Sequence, residues 1–512
     1  MGQKEFLKRL GFSENPFQFT NADEEEHLQS YFVPPPYFES VWGDPDSPVS
    51  QVIFAPRGGG KSAQRRMIEY RAPENDVFAI TYDRFEKLGS SDLPSLGIDY
   101  HLKNIVELGL LGFLLEYHDR HLQAPAFSGL EREQLEALCQ RYLGRINKSE
   151  ALDAAKSLRT LSSKAKQVLR DWSGPINTLI SVIGASQGLT HGLPGNASIQ
   201  QNLSNEPDTP TKLHLEAVIR LVKSIGFKSI YVLIDKVDET AETGNNAEAS
   251  FLLVKPLLRD LELLQTTGIG FKFFLWDKTQ SFQREFARPD RLQQFELSWQ
   301  EKDMTHMLSK RLHAFSNGTV TDLSQLVEAE FARPLHTTVV LFANGSPRDM
   351  IRVCQEILSE QLQINPDAQK IGIDALTKGI SKFAEIRAKE LLPPQIFREL
   401  VKVGRLDFTA NYVASNIFKI EVNSARNKIV QWIQTGAVEK IGELHTGGRP
   451  VHQYAITDVR IAKAILPQLH LVDFIRKKLR ACPQCDLLLI REWDQEQSQA
   501  CHSCGTEFTD SE

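Results

Sequence analysis

Cysteine is scarce in this chain, with 6 among 512 residues, and four of these fall within the last 31. So thin a supply excludes a disulfide-stapled fold, and its clustering points to metal ligation instead. Long apolar runs are missing too. Stretches such as Leu108 to Leu115 and Ile230 to Ile234 fall far short of the roughly 18 consecutive apolar residues that cross a bilayer. No apolar signal core follows Met1, and Phe6 stands where a myristoylation signal wants Ser or Thr. The expected location is cytoplasmic, with no membrane partner. Charge of one sign is also in short supply: a net charge of -6 gives no whole-surface attraction to nucleic acid. No internal repeat is found.

What is present is ordinary globular composition, 41% hydrophobic and 24% charged, spread over enough chain for several modules of about 150 residues. Gln51 to Phe54, Val77 to Tyr82, Ile230 to Ile234 and Phe271 to Trp276 read as buried strands. Helical periodicity separates them, beginning at Ser62 to Arg71, and strands alternating with helices predict a parallel sheet with helices on both faces. Residues 96–209 interrupt this pattern with Leu-, Ala- and Gln-rich helical spacing and read as a helical insertion. Its end, Gly188 to Pro210, reads as an exposed loop before a helix at Leu213 to Lys223. Residues 301–390 are again helical, as in a lid, so the sheet-bearing core is expected over 1–95 and 210–300.

The segment Ala55-Pro56-Arg57-Gly58-Gly59-Gly60-Lys61-Ser62 follows a strand and opens a helix. It fits the phosphate-loop pattern except that Ala55 replaces the first glycine. Glycines let successive backbone N–H groups turn toward phosphates, Lys61 neutralises the outer phosphate charge, and Ser62 offers its hydroxyl to magnesium. A second apolar strand ends in Asp235, the arrangement that presents a carboxylate to the magnesium shell. Lys236, Val237, Asp238 and Glu239 follow, and Asp238 or Glu239 is the candidate to orient an attacking water. ATP and Mg2+ are the expected cofactors.

These motifs resemble those of AAA+ and STAND-type P-loop ATPases, particularly of the origin-recognition type, over about residues 10 to 390. The run from Asp235 to Glu239 is nearer the STAND pattern. The resemblance implies that Gly11-Phe12 and Asn15-Pro16-Phe17 run beside the adenine, and that Asp277 ends the strand that senses the γ-phosphate. It also implies that Arg348, in Asn344-Gly345-Ser346-Pro347-Arg348-Asp349, is a lid arginine, because a guanidinium binds phosphate oxygens as a fork. Arg288 or Arg291 could then serve as an arginine finger in a nucleotide-dependent homo-oligomer, against the reading of both as surface charge.

Residues 391–470 read as a winged helix, with a wing tip at Gly447-Gly448-Arg449. Ser424, Arg426, Asn427 and Lys428 are the groove-facing candidates. Residues 400 to 480 carry 13 Lys/Arg against 6 Asp/Glu, so any DNA face is expected there. Residues 478–510 hold Cys482-x2-Cys485-x15-Cys501-x2-Cys504, the spacing of a zinc ribbon with four thiolate ligands. Cys139 and Cys354 lie in helical patterns and read as buried. The expected function is an ATP-hydrolysing switch acting on DNA. The alternative is a non-catalytic nucleotide-binding regulator or scaffold whose C-terminal modules bind protein partners.

Overall fold

The computed structural model describes residues 3–85, 88–89, 92–120, 129–144, 146–171, 211–244, 246–286, 289–328, 334–444, 450–492 and 499–508. The chain forms two compact units, Pro34–Ser298 on the one hand and Met1–Val33 with Trp299–Glu512 on the other.

In the first unit β1 (Gln51–Ala55) leads through the glycine-rich turn into α1 (Lys61–Arg71) and then β2 (Val77–Tyr82). The insertion follows as α2 (Ile98–Arg120), α3 (Gly129–Leu143), α4 (Lys148–Ala155) and α5 (Ser163–Asp171). The loop expected at Gly188 to Pro210 lies outside the described residues. The chain returns through α6 (Thr211–Ser224), β3 (Ser229–Ile234), α7 (Ala247–Arg259), β4 (Ile269–Trp276) and β5 (Gln293–Glu296).

The five strands make one parallel sheet in the order β2-β3-β4-β1-β5. Every residue of β1, β2 and β3 is buried, as a parallel sheet covered on both faces requires. Phe54, Phe78, Val232 and Phe273 point into a large apolar cluster with residues of α2, α6 and α7. The alternate positions face the other way: Tyr231 meets Trp42 at 5.5 Å between rings and donates to the Trp42 carbonyl at 2.8 Å. The edge strand β2 is not left bare, because Thr81 N–H donates to the Ser157 carbonyl of the insertion at 2.8 Å. Pairing places Ala55 beside Trp276 and Tyr82 beside Ile234, so β1 to β4 end along one edge.

The second unit packs residues 3–33 with α8 (Glu301–Phe315), α9 (Leu335–Ala343), α10 (Pro347–Ile364) and α11 (Ile373–Leu391). The opening segment, expected with the sheet, belongs to this unit instead, and the reason is physical. Buried Arg311 of α8 donates to the Pro16 carbonyl and to Glu25, and Phe12 and Phe17 are buried. Beyond α11 come α12 (Pro394–Val403), β6 (Asp407–Thr409), α13 (Val422–Gln434), β7 (Val438–Leu444) and β8 (Val451–Ile456). The strands form an antiparallel sheet ordered β6-β8-β7 around fully buried Trp432. The wing tip Gly447-Gly448-Arg449 lies outside the described residues.

The chain then runs through α14 (Val459–Ile465) and α15 (Leu471–Lys478) into two small antiparallel pairs. These are β9 (Leu479–Ala481) with β10 (Leu488–Ile490), and β11 (Gln499–Ala500) with β12 (Glu507–Phe508). No helix among the described residues is long and apolar enough to cross a membrane.

Candidate functional sites

Polar groups gather at the carboxyl edge of the parallel sheet, which is where ligands bind in open folds of this kind. Ala55 ends β1 as a buried residue, and Pro56, exposed, starts the turn. Gly58 and Gly60 take φ of 76° and 100°, left-handed values that favour glycine. A Cβ on Gly59 would lie 2.9 Å from the Pro56 carbonyl oxygen, so this position has no room for a side chain. Lys61 is the first residue of α1 and is buried; its Nζ donates to the carbonyls of Ala55 at 3.2 Å and Pro56 at 3.4 Å. Burial pulls this ammonium below its ordinary range, and Asp238, Asp235, Asp277 and Glu239 oppose the pull. Ser62 is half-buried, and its hydroxyl makes no hydrogen bond among the described residues.

Asp235 follows β3 and is 1% exposed. Its Oδ2 accepts from Arg65 Nε of α1 at 2.8 Å, and its Oδ1 accepts from the Lys236 N–H at 2.9 Å. Lys236 adopts φ 58° and turns its ammonium to within 3.7 Å of Asp83. Asp238 is buried and bound twice by Arg57, through Nε to its carboxylate and through a terminal nitrogen to its carbonyl, both at 2.7 Å. Arg57 also lies 4.2 Å from the centre of the Trp276 ring. Glu239 is exposed and its carboxylate has no partner among the described residues. Asp277 is exposed and accepts from the Lys278 N–H.

This donor set fits a magnesium-chelated nucleotide. The cradle at Gly59 admits only backbone, and Lys61 stands beside it. An ionised carboxylate has about four lone-pair sites, so Asp235 keeps capacity beyond its two hydrogen bonds. Residues that sequence reasoning missed are Arg65, Glu69, Asp83 and Arg159. The signal for two of them was available: α1 buries Lys61, Gln64, Arg65, Ile68 and Glu69, a helix stripe that is polar where an apolar one is normal.

Arg348 belongs to the other unit, at the second position of α10, half-buried, its guanidinium without a hydrogen bond or ion pair among the described residues. Its neighbour Asp349 is 1% exposed and takes Arg387 of α11 at 2.8 Å and Arg460 of α14 at 2.6 Å. Arg291 is exposed and pairs with adjacent Asp290 at 3.5 Å, while Arg288 lies outside the described residues.

On α13, Ser424, Arg426 and Asn427 are exposed, whereas Lys428 is less so. It is half-buried and pairs with Glu399 of α12 at 2.5 Å, because helical spacing puts position 428 beside the stripe of Ala425, Ile429 and Trp432. The basic excess of this region is likewise partly internal, since Arg460 and Lys463 are buried.

The four C-terminal cysteines converge. All Sγ atoms lie within 4.8 Å of one another, with Cys482 3.5 Å from Cys504 and Cys485 3.7 Å from Cys501. Four sulfurs around zinc at about 2.3 Å stand about 3.8 Å apart, whereas a disulfide needs about 2.05 Å. The two knuckles repeat one hydrogen-bond pattern: Cys482 N–H to Leu487 O and Asp486 N–H to Cys482 O, then Cys501 N–H to Thr506 O and Gly505 N–H to Cys501 O. Asp486 and Gly505 occupy matching left-handed positions. The Thr506 hydroxyl and backbone hold the Cys504 thiol below its ordinary range. The cluster fits a zinc ribbon. Cys139 and Cys354 are buried, and burial pushes both thiols up, Cys139 to about 12.

No family model matches the chain, and no curated protein does. Among solved structures it is similar to the Aeropyrum pernix ORC2 protein in ADPNP-ADP complexes, at 12% identity and TM-score 0.39, over 87% of this chain and 98% of that one. It is also similar to the Aeropyrum pernix ORC1 protein in complex with DNA, at 9% identity and TM-score 0.35, over 88% and 96%. Drosophila ORC bound to DNA matches at 10% identity and TM-score 0.30, over 83% and 92%. These are proteins of the origin-recognition group that the motifs resemble; at such scores the likeness is one of coarse chain course.

Proposed function

We propose that the protein is a magnesium-dependent switch that binds and hydrolyses ATP and acts on DNA through its C-terminal modules. The observation that carries this reading is that the phosphate loop and the acidic tip after β3 share one sheet edge, joined by Arg57 to Asp238. Backbone N–H groups of Gly58 to Lys61 and the Lys61 ammonium bind the phosphates, and Ser62 and Asp235 hold the magnesium. Magnesium would supply charge neutralisation between the outer phosphates. Of the two carboxylates open as water-orienting group, Asp238 is already neutralised by Arg57, so Glu239, exposed and uncommitted, takes that role. Arg348 is the lid arginine, and residues 391–470 act as a winged helix presenting Ser424, Arg426 and Asn427 to DNA, beside a zinc ribbon at 478–510. Nucleotide-dependent self-association belongs to the same reading.

A second reading, a regulator that holds nucleotide without turning it over, draws on one observation. Both Asp235 and Asp238 are neutralised by arginines of the chain itself, which weakens their field at a bound metal. Phosphate release measured on the wild type and on Lys61→Ala separates the two. Under the first reading the wild type releases phosphate, DNA stimulates it with a steep loss at higher salt, and Lys61→Ala abolishes it. Wild-type release no greater than that of Lys61→Ala sinks the hydrolytic reading, and no nucleotide uptake by calorimetry sinks both.

A further inference from the structure

Asp235 is held at both carboxylate oxygens, and the two holding groups trace back to one residue that is not in the sheet. On one side Arg65 Nε binds Oδ2, and the same guanidinium pairs with Glu69 of the next turn. Glu69 is 2% exposed, accepts the Thr81 hydroxyl at 2.6 Å, and lies 3.8 Å from Arg159 Nε. On the other side the Lys236 N–H binds Oδ1, and the Lys236 ammonium reaches Asp83, whose Oδ2 accepts from Arg159 at 2.7 Å. Arg159 therefore touches the far end of both arms. It sits between α4 and α5, on the helical insertion, in a turn fixed to β2 by Thr81 N–H to Ser157 O.

We infer that Arg159 is a positioning residue for Asp235, by which the helical insertion sets how that carboxylate is presented to a divalent cation. The inference rests on the reading of Asp235 as the metal-holding carboxylate. The physical ground is that Glu69 and Asp83 are buried carboxylates whose balance depends on the cations around them. With Arg159 bound, Glu69, which Arg66 also meets at 3.0 Å, shares Arg65 with Asp235, and Asp83 divides its charge between Arg159 and the Lys236 ammonium. Without it, Glu69 draws Arg65 away from Oδ2, and Asp83 draws Lys236, whose backbone holds Oδ1. Both arms then pull Asp235 out of line together. Partners of metal ligands that act in this way typically alter metal affinity 10- to 100-fold, roughly.

The test uses the full chain as wild type, Arg159→Met, Arg159→Lys and Asp83→Asn. Binding of a fluorescent ATP analogue is followed first in EDTA and then during titration with MgCl2, and Mn2+ binding without nucleotide is followed by the electron-spin resonance of the free ion. Arg159→Met is expected to raise the half-saturating Mg2+ and Mn2+ concentrations about tenfold while leaving analogue affinity in EDTA unchanged. Arg159→Lys restores part of the shift, and Asp83→Asn, which cuts one arm, gives a smaller one. Equal cation midpoints in wild type and Arg159→Met overturn the inference.

If the wild type binds neither analogue nor Mn2+, the nucleotide reading is what has failed, and amide exchange across residues 235–239 decides the relay by itself. Faster exchange there in Arg159→Met, with residues 51–55 unchanged, supports the relay. Exchange unchanged at 235–239, or raised equally in both segments, overturns it.

Discussion

The carboxyl edge of the sheet and the terminal four-cysteine module are both polar sites, yet they meet their needs in opposite ways. At the edge, Asp235, Asp238, Glu69 and Asp83 each find a cation within the chain, in Arg65, Arg57 and Arg159. In the ribbon, four sulfurs face one another over a core of little more than Leu489 and Leu487. The first site has its charges balanced within the chain, whereas the second has little apolar core and four thiols grouped as a metal would need them. A buried ion network and a metal knot can therefore carry similar weight in a structure while differing in what holds them.

The widest way to break this contrast is to strip metal. Chelation of zinc is expected to cost the ribbon the whole of a binding free energy of about 10–16 kcal/mol, abolishing amide protection over residues 479–508. The unfolding midpoint of the sheet-bearing unit stays where it was, and a common loss in both regions would erase the distinction. Next in size is Arg65→Met, which leaves Asp235 and Glu69 buried without their shared guanidinium. Urea unfolding is expected to show a loss of about 3–5 kcal/mol; a loss under about 1 kcal/mol would mean that the edge does not depend on its internal cation.

The third test reads a slope with pH rather than a loss, and sharpens the comparison away from the carboxyl edge. Lys272 of β4 is fully buried, with its ammonium on Val49 O at 3.0 Å and Gln51 Oε1 at 2.9 Å, and 5.0 Å from the Tyr231 ring. Burial pulls it down to about 7 from 10.5. The unfolded chain therefore binds this proton up to pH 10.5 and the folded chain only up to about 7, so stability rises with pH across that window. The wild-type curve is expected to gain at most about 1.4 kcal/mol per pH unit relative to Lys272→Met, and parallel curves from pH 6 to 10 would sink this account.

The sequence made the parts with local signatures legible. Four of the five strands announced themselves as β-branched and aromatic runs, and the glycine spacing before Lys61 and the paired cysteine knuckles are short-range patterns with a direct physical meaning. The strand β5 escaped because Gln293-Gln294-Phe295-Glu296 lies half-exposed at the sheet edge and carries no buried apolar signal. Arg65, Asp83 and Arg159 escaped for a different reason. Their partners lie 170, 76 and 90 residues away or thereabouts, and charge alone does not tell a buried pair from a solvated one. The pairing of Lys428 with Glu399 was equally hidden, because the two residues lie 29 positions apart on different helices.

The hydrogen bond from Thr81 to Ser157 also bears on how the chain can be shortened. The insertion looks expendable as a detour between two strands, yet its turn at Ser157 to Thr160 caps the outermost strand of the sheet, where Thr160 also reaches the Ala79 carbonyl. Trimming the detour would uncover a row of unpaired backbone donors and acceptors along β2, the kind of template on which copies of a protein stack into aggregates. A truncated version that stays soluble must keep that turn or replace it with another cover.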